Sequence, residues 1–128
     1  MQTIFSIDGV TYNVEVKKLT RSFGIMDGQK AGRVLSGGMV RDIIGTYFNY
    51  ELEIDTSNLD HAEYAELYDR LSAPQDSHLI EVPYNQSVQV FEAYVSSGSD
   101  SLKRKGVDGV WWEGLKIKFV AMDPQRRP

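Results

Sequence analysis

The chain has 128 residues, 41% of them hydrophobic and 25% charged, with a net charge of −4 and no cysteine. This length suits one globular domain able to bury roughly two-thirds of its extended-chain surface, and the composition excludes general disorder. The absence of cysteine removes disulfide frameworks, thiolate metal sites and cysteine nucleophiles, and the acidic balance gives no overall attraction to phosphate backbones or anionic lipid. The opening MQTIFSIDG lacks a basic n-region, an apolar h-region and a small-residue cleavage site, and no apolar run approaches the roughly 20 residues that span a bilayer. The expectation is a soluble, cytosolic product with no membrane partner.

Taken in chain order, Phe5 and Ile7 lead into Asp8-Gly9, the dipeptide favoured by two-residue type I′ turns. Val10, Tyr12, Val14 and Val16 then alternate with Thr11, Asn13, Glu15 and Lys17, which predicts a half-buried strand completing an opening hairpin. Residues 27–38, DGQKAGRVLSGG, predict a flexible glycine-rich loop. Gly28 is followed by Gln29-Lys30-Ala31, so the lysine-then-serine/threonine pattern of a phosphate-binding loop is missing.

Between residues 40 and 55, Phe48, Tyr50, Leu52 and Ile54 alternate with Asn49, Glu51, Glu53 and Asp55, predicting a strand with one polar face; Gly45 marks a bulge or bend. The period then becomes helical. Tyr64, Leu67, Tyr68 and Leu71 form one apolar stripe over about residues 59–72, with Asp60 or Asn58 as N-cap, Glu63 in capping-box position and Pro74 as the stop. Strands follow at 78–84, where Pro83 suggests an edge or a strand end, at 88–95, and from Val110 to about Met122. A polar loop at about 96–109 separates the last two. The fold class is mainly β (α+β): a β-sandwich or small barrel of about six to seven antiparallel strands flanked by one α-helix.

Catalytic constellations are not legible. His61 lies in the first helical turn among acids. Asp76, Ser77 and His78 are consecutive on an extended chain, whose neighbouring side chains point to opposite faces. No EF-hand or HExxH spacing occurs. No catalytic, cofactor-binding or metal-ligating residue is assigned, and the expectation is a non-enzyme without cofactor. Glu51, Glu53 and Asp55 read as the wet face of a strand, and Lys103, Arg104, Lys105, Arg126 and Arg127 as solvated charge or contacts to an acidic neighbour. In Trp111-Trp112, alternation places one ring in the core and the other outside, and the pair reads as an interface anchor, a partial contribution to the core or a ligand platform.

The order of hairpin, glycine-rich excursion, long strand, single helix and closing strands resembles the tail-tube fold of tailed bacteriophages and the N-terminal domain of distal tail proteins. The likeness is carried by residues 7–10 (IDGV), by EYAELY at 63–68 through LSAP at 71–74, and by GLKIKFVAMDP at 114–124. It implies a structural subunit of a phage or prophage tail or baseplate that forms rings, usually hexameric, and joins neighbouring tail proteins. Such a subunit would be made in the host bacterial cytoplasm and end in the virion. It would use Gly28, Gly32, Arg33, Gly37, Gly38, Lys103, Arg104, Lys105, Trp111 and Trp112 as subunit-interface candidates. Glu51, Glu53 and Asp55 would then line a lumen through which DNA slides without sticking. The alternative reading is a stand-alone binding module for carbohydrate or an extended peptide, using an exposed tryptophan and a free sheet edge.

Overall fold

The computed structural model describes residues 5–128, so the leader-free reading of the opening rests partly on residues 1–4, which lie outside the described residues. In chain order the elements are β1 (Ser6–Ile7), β2 (Val10–Thr11), β3 (Glu15–Asp27), β4 (Gly32–Arg33), β5 (Met39–Val40), β6 (Ile43–Asp55), α1 (His61–Ser72), β7 (His78–Tyr84), β8 (Ser87–Gly106) and β9 (Gly109–Ala121). Seven strands form one antiparallel sheet in the order β2-β1-β7-β8-β9-β6-β3, and β4 and β5 form a two-stranded ladder of their own. The mainly β architecture with a single flanking helix is the one the hydrophobic periodicity predicts.

The opening turn forms as expected. Asp8 and Gly9 both take positive φ, 53° and 79°, as a type I′ turn requires. The strand beyond it does not continue. β2 ends at Thr11 and β3 begins at Glu15, and these two strands are the opposite edges of the seven-stranded sheet. Tyr12 and Val14 still face the core, at 5% and 4% exposure, so the alternation was correct for the side chains. Their backbone belongs to neither ladder, however, and a tight turn holds it through Val14 N donating to the Tyr12 carbonyl at 2.9 Å.

This link determines the shape. Two edges of a flat sheet of this size would lie roughly 29 Å apart, yet a link of this length spans at most roughly 14 Å from Thr11 to Glu15. The sheet therefore curls on itself. Inside the curl, Phe5, Ile7, Tyr50, Leu52, Ile54, Ile80, Val82, Leu115, Ile117 and Phe119 pack into one core, closed over by Leu67 and Leu71 of α1. Arg21 on β3 reaches the β7–β8 turn across the opening, donating to Asn85 Oδ1 at 2.9 Å and stacking over Tyr84.

The helix is set by its own sequence. The Asp60 side chain accepts from Glu63 N at 2.8 Å, and Glu63 accepts from Asp60 N at 3.2 Å. These are the two reciprocal bonds of a capping box. At the C-terminal end α1 stops at Ser72 before Pro74. The expected single apolar stripe splits: Leu67 and Leu71 enter the core, while Tyr68 stays 38% exposed.

A polar clasp joins the helix to the opening turn. Asp8 accepts from Leu79 N at 3.0 Å and from the buried His78, whose Nδ1 lies 2.7 Å away. Arg70 stands 3.8 Å from Asp8 and donates to the Tyr12 hydroxyl and to Glu66, at 3.0 and 3.1 Å. Burial raises the Asp8 carboxyl, but the bonds from His78 and Leu79 and the charges of His78 and Arg70 outweigh it and hold it below its ordinary value.

The largest departure from the sequence reading is at residues 96–109. The expected polar loop is the distal half of a long hairpin: β8 runs to Gly106, turns at Val107-Asp108 and returns as β9. Ser and Gly are poor strand formers. Cross-strand pairing supplies what propensity lacks, with Ser97 opposite Lys118, Gly98 opposite Ile117 and Leu102 opposite Trp112, and three register shifts absorb the strain. The glycine-rich segment 27–38 is likewise partly ordered, because Gly32 and Arg33 pair with Val40 and Met39. Residues 18–27, which carry no clear period, extend β3 along β6. Pro83 sits next to the last residue of β7, a strand end as expected, although β7 itself is internal to the sheet.

Gly45 carries the expected irregularity. The β3–β6 register shifts beside it, and the C-terminal tail crosses directly over it, with Thr46 N donating to the Arg126 carbonyl at 2.8 Å and Gln125 N to the Thr46 carbonyl at 2.9 Å. A Cβ at Gly45 would run into the Arg126 carbonyl and the Pro124 ring. Gly45→Val is expected to detach the tail and lower the melting temperature, read by thermal denaturation and by proteolysis at the C-terminus.

Two outcomes test the clasp and the cap. Because the Asp8 pKa is depressed, its stabilisation is present above the unfolded value of about 3.9 and is lost as pH falls through the folded one. Asp8→Asn should thus flatten the loss of stability on acidification below pH ~4, measured by urea unfolding across pH. Asp60→Ala is expected to cost about 1 kcal/mol by loss of the N-cap, read in the same unfolding assay at neutral pH.

Candidate functional site

A broad concavity lies where α1 meets the free part of the β8–β9 hairpin. β9 pairs with β6 only from Leu115 to Phe119, and β8 pairs with β7 only up to Ala93. Beyond those limits the hairpin projects as a two-stranded ribbon, and the N-terminal half of α1 lies alongside it. The groove between them has a volume of about 1160 Å³ and is lined by the β6–α1 connection, by one face of α1 and by both strands of the ribbon. That is the size of a large ligand site.

The groove is built from aromatic and charged side chains. Trp111 is held by Arg104, whose guanidinium carbon lies 3.7 Å from its ring centroid, and by His61 at 5.2 Å in an edge-on arrangement. Tyr64 and Tyr68, one helical turn apart, stack at 6.5 Å with 22° between their planes. Tyr64 donates to Asp100 on β8 and so ties helix to ribbon. Burial, with that bond adding to it, pushes its phenol well above the ordinary value, and the tyrosine stays neutral. Trp112 is 44% exposed at the groove wall. Asp55 accepts from the Ser57 amide at 2.9 Å, and this bond holds its carboxyl below the usual range.

The tryptophans correct the expectation of one core and one outer ring. Trp112 is exposed, but Trp111 is half-buried against His61 and Arg104 and is not part of the core cluster. Both tryptophans line the groove, beside a register shift between Leu102 and Arg104 on the facing strand. Lys103 and Arg104 line the same groove, whereas Lys105 is exposed opposite Val110. Gly28, Gly32, Arg33, Gly37 and Gly38 sit at the far tip of the β3–β6 hairpin, and the structure does not bring them to the tryptophans. Gly28 packs against Asp42, and Gly37 takes a left-handed φ of 88° while its carbonyl accepts from Arg33.

Glu51, Glu53 and Asp55 share one sheet face as expected, but the face is mixed in charge. Lys118 stands opposite Glu51, and Lys116 and Lys18 stand opposite Glu53. Lys17 and Lys116 each lie 3.8 Å from Glu53. The strong repulsion expected of an acidic wall is therefore largely compensated.

Tyr68 and Asp100 are groove residues expected in a core stripe and in a loop, whereas Tyr64 packs against the core as its place in the stripe predicts and lines the groove as well. The available signal was the tyrosine pair at i, i+4, whose hydroxyls seek polar partners where leucines do not. Among the described residues, no three histidine, aspartate or glutamate side chains are grouped to hold a metal ion, and no helix is long and apolar enough to cross a membrane. No protein-family model matches the chain, and no curated protein shows significant similarity to it.

Arg104→Ala should uncover Trp111. In a Trp112→Phe background, the tryptophan emission is expected to shift to longer wavelength, with a loss of stability of about 1 kcal/mol or less in chemical denaturation.

Proposed function

We propose that this chain is a non-enzymatic structural subunit that assembles with copies of itself into a ring, of the kind that builds the tail or baseplate of a phage or prophage. One observation carries the reading. β3 is an edge of the sheet, and its residues 22–26, Ser-Phe-Gly-Ile-Met, contain neither charge nor proline while leaving Phe23 69% and Ile25 51% exposed. An edge that must stay soluble alone is blunted by charge, proline or a covering element. Here Lys17, Lys18 and Arg21 guard only the proximal half of the strand.

The same ribbon continues into further exposed apolar residues, Met26, Val34, Leu35, Met39, Val40 and Ile43. Exposed apolar residues gathered on one ribbon are the kind of surface that marks a protein–protein contact. Edge pairing by a neighbouring copy supplies main-chain hydrogen bonds, and the alternate side chains Phe23 and Ile25 supply the apolar seat. A single edge engaging a different surface of the next copy makes a heterologous contact, which closes into a ring when the rotation permits. The resemblance to tail-tube and distal tail proteins supports six copies, a place in the virion tail after synthesis in the host cytoplasm, and neighbouring tail proteins as further partners. With its lysines, the face bearing Glu51, Glu53 and Asp55 supports a lumen wall of nearly balanced charge for passing DNA.

Light scattering across a concentration series, with negative-stain images of the largest species, tests the proposal. The expected result is a concentration-dependent ring. The double variant Phe23→Asp, Ile25→Lys is expected to remain monomeric with an unchanged circular dichroism spectrum. A wild-type chain that stays monomeric up to millimolar concentration overturns the reading.

A further inference from the structure

We propose that the groove between α1 and the β8–β9 ribbon binds a neutral oligosaccharide. The inference stands on the groove alone and does not depend on ring assembly. Its surface combines the two elements that a sugar chain requires. Flat apolar faces come from Tyr68, 38% exposed, and Trp112, 44% exposed, and both line the groove. Sugar rings present patches of C–H that stack on such aromatic planes. Acceptors come from Asp69 and Glu113, and a flexible donor from Lys103. Hydroxyl groups both donate and accept, so they can satisfy carboxylates on the helix and the ribbon and the lysine donor at once.

Other ligand classes fit less well. A nucleic acid would meet the carboxylates of Asp69 and Glu113 on a chain of net charge −4. A cationic ligand would meet Lys17, Lys103 and Arg104, which also line the groove, and Trp111 is already covered by Arg104. An extended peptide is recognised chiefly through main-chain bonds, but one wall here is a helix whose interior backbone groups are spent on its own ladder. The volume of about 1160 Å³ exceeds what an ion or a single small ring would fill. The Tyr64–Asp100 bond ties helix to ribbon, and the capping box fixes the start of the helix.

The test is a titration of the full chain with cellohexaose, maltohexaose and chitohexaose, followed by tryptophan emission and by calorimetry. A Ser/Thr-rich decapeptide serves as the competing class. At least one saccharide is expected to give a saturable emission change, weakened about tenfold or more in Trp112→Ala and in Tyr68→Ala. Glu113→Gln, which keeps every apolar contact, is expected to weaken binding severalfold, so the test stands even where an aromatic variant fails to fold. Leu35→Ser, at the opposite hairpin, should leave binding unchanged. Absence of saturable binding by all three saccharides overturns the proposal. So does saturation by the peptide alone, or full affinity in a folded Trp112→Ala.

Discussion

The rest of the architecture depends on a short tether between the two edges of the sheet. Tyr12, Asn13 and Val14 must carry the chain from β2 to β3, and these strands stand at opposite ends of the strand order. A flat sheet cannot satisfy that tether, so the strands coil around a common interior. Once the sheet is curled, the alternate residues of β6, β7 and β9 point at one another and make a single core. The tether contributes to that core itself, because Tyr12 and Val14 are buried in it.

A curled sheet of this kind has an open side, and α1 covers it. Leu67 and Leu71 supply the apolar contact, and polar bonds hold the helix at both ends. At its C-terminal half Arg70 links Tyr12, Glu66 and Asp8, with Asp8 bonded in turn to the buried His78. At its N-terminal half Tyr64 bonds to Asp100, and His61 lies against Trp111. The described residues leave no buried side-chain nitrogen or oxygen without a partner, which is the condition under which such networks define one arrangement instead of costing stability.

Both long hairpins outrun the sheet that supports them, and they do so with different chemistry. The β3–β6 ribbon carries exposed apolar side chains and ends in a glycine-rich tip, whereas the β8–β9 ribbon carries serines, basic residues and two tryptophans beside the helix. The first offers an adhesive edge and the second a walled groove. The C-terminal tail adds to this division, because Gln125 and Arg126 pair with Thr46 where β9 has left β6, and so they brace the base of the first ribbon.

Local signals were legible wherever one residue type answers one geometric demand. Asp8-Gly9 specified its turn through positive φ, Asp60 and Glu63 specified a capping box, and the alternation of Phe48, Tyr50, Leu52 and Ile54 specified a buried strand face. Together they carried the fold class. The order of strands was not legible, because residues 10–17 alternate without interruption and nothing local shows that Thr11 and Glu15 pair with different neighbours. Nor was the groove. Residues 96–106 are polar and rich in serine and glycine, so they read as a loop until β9 supplies the hydrogen-bond partners that make them a strand. Tyr64, Tyr68, Asp100, Trp111 and Trp112 are brought together only by that pairing and by the docking of α1. The sequence by itself thus determined the turns, the cap and which faces avoid water, since these are set by contacts a few residues apart. Only the tertiary structure decided the curl, the two free ribbons and the groove, because each depends on backbone partners tens of residues away.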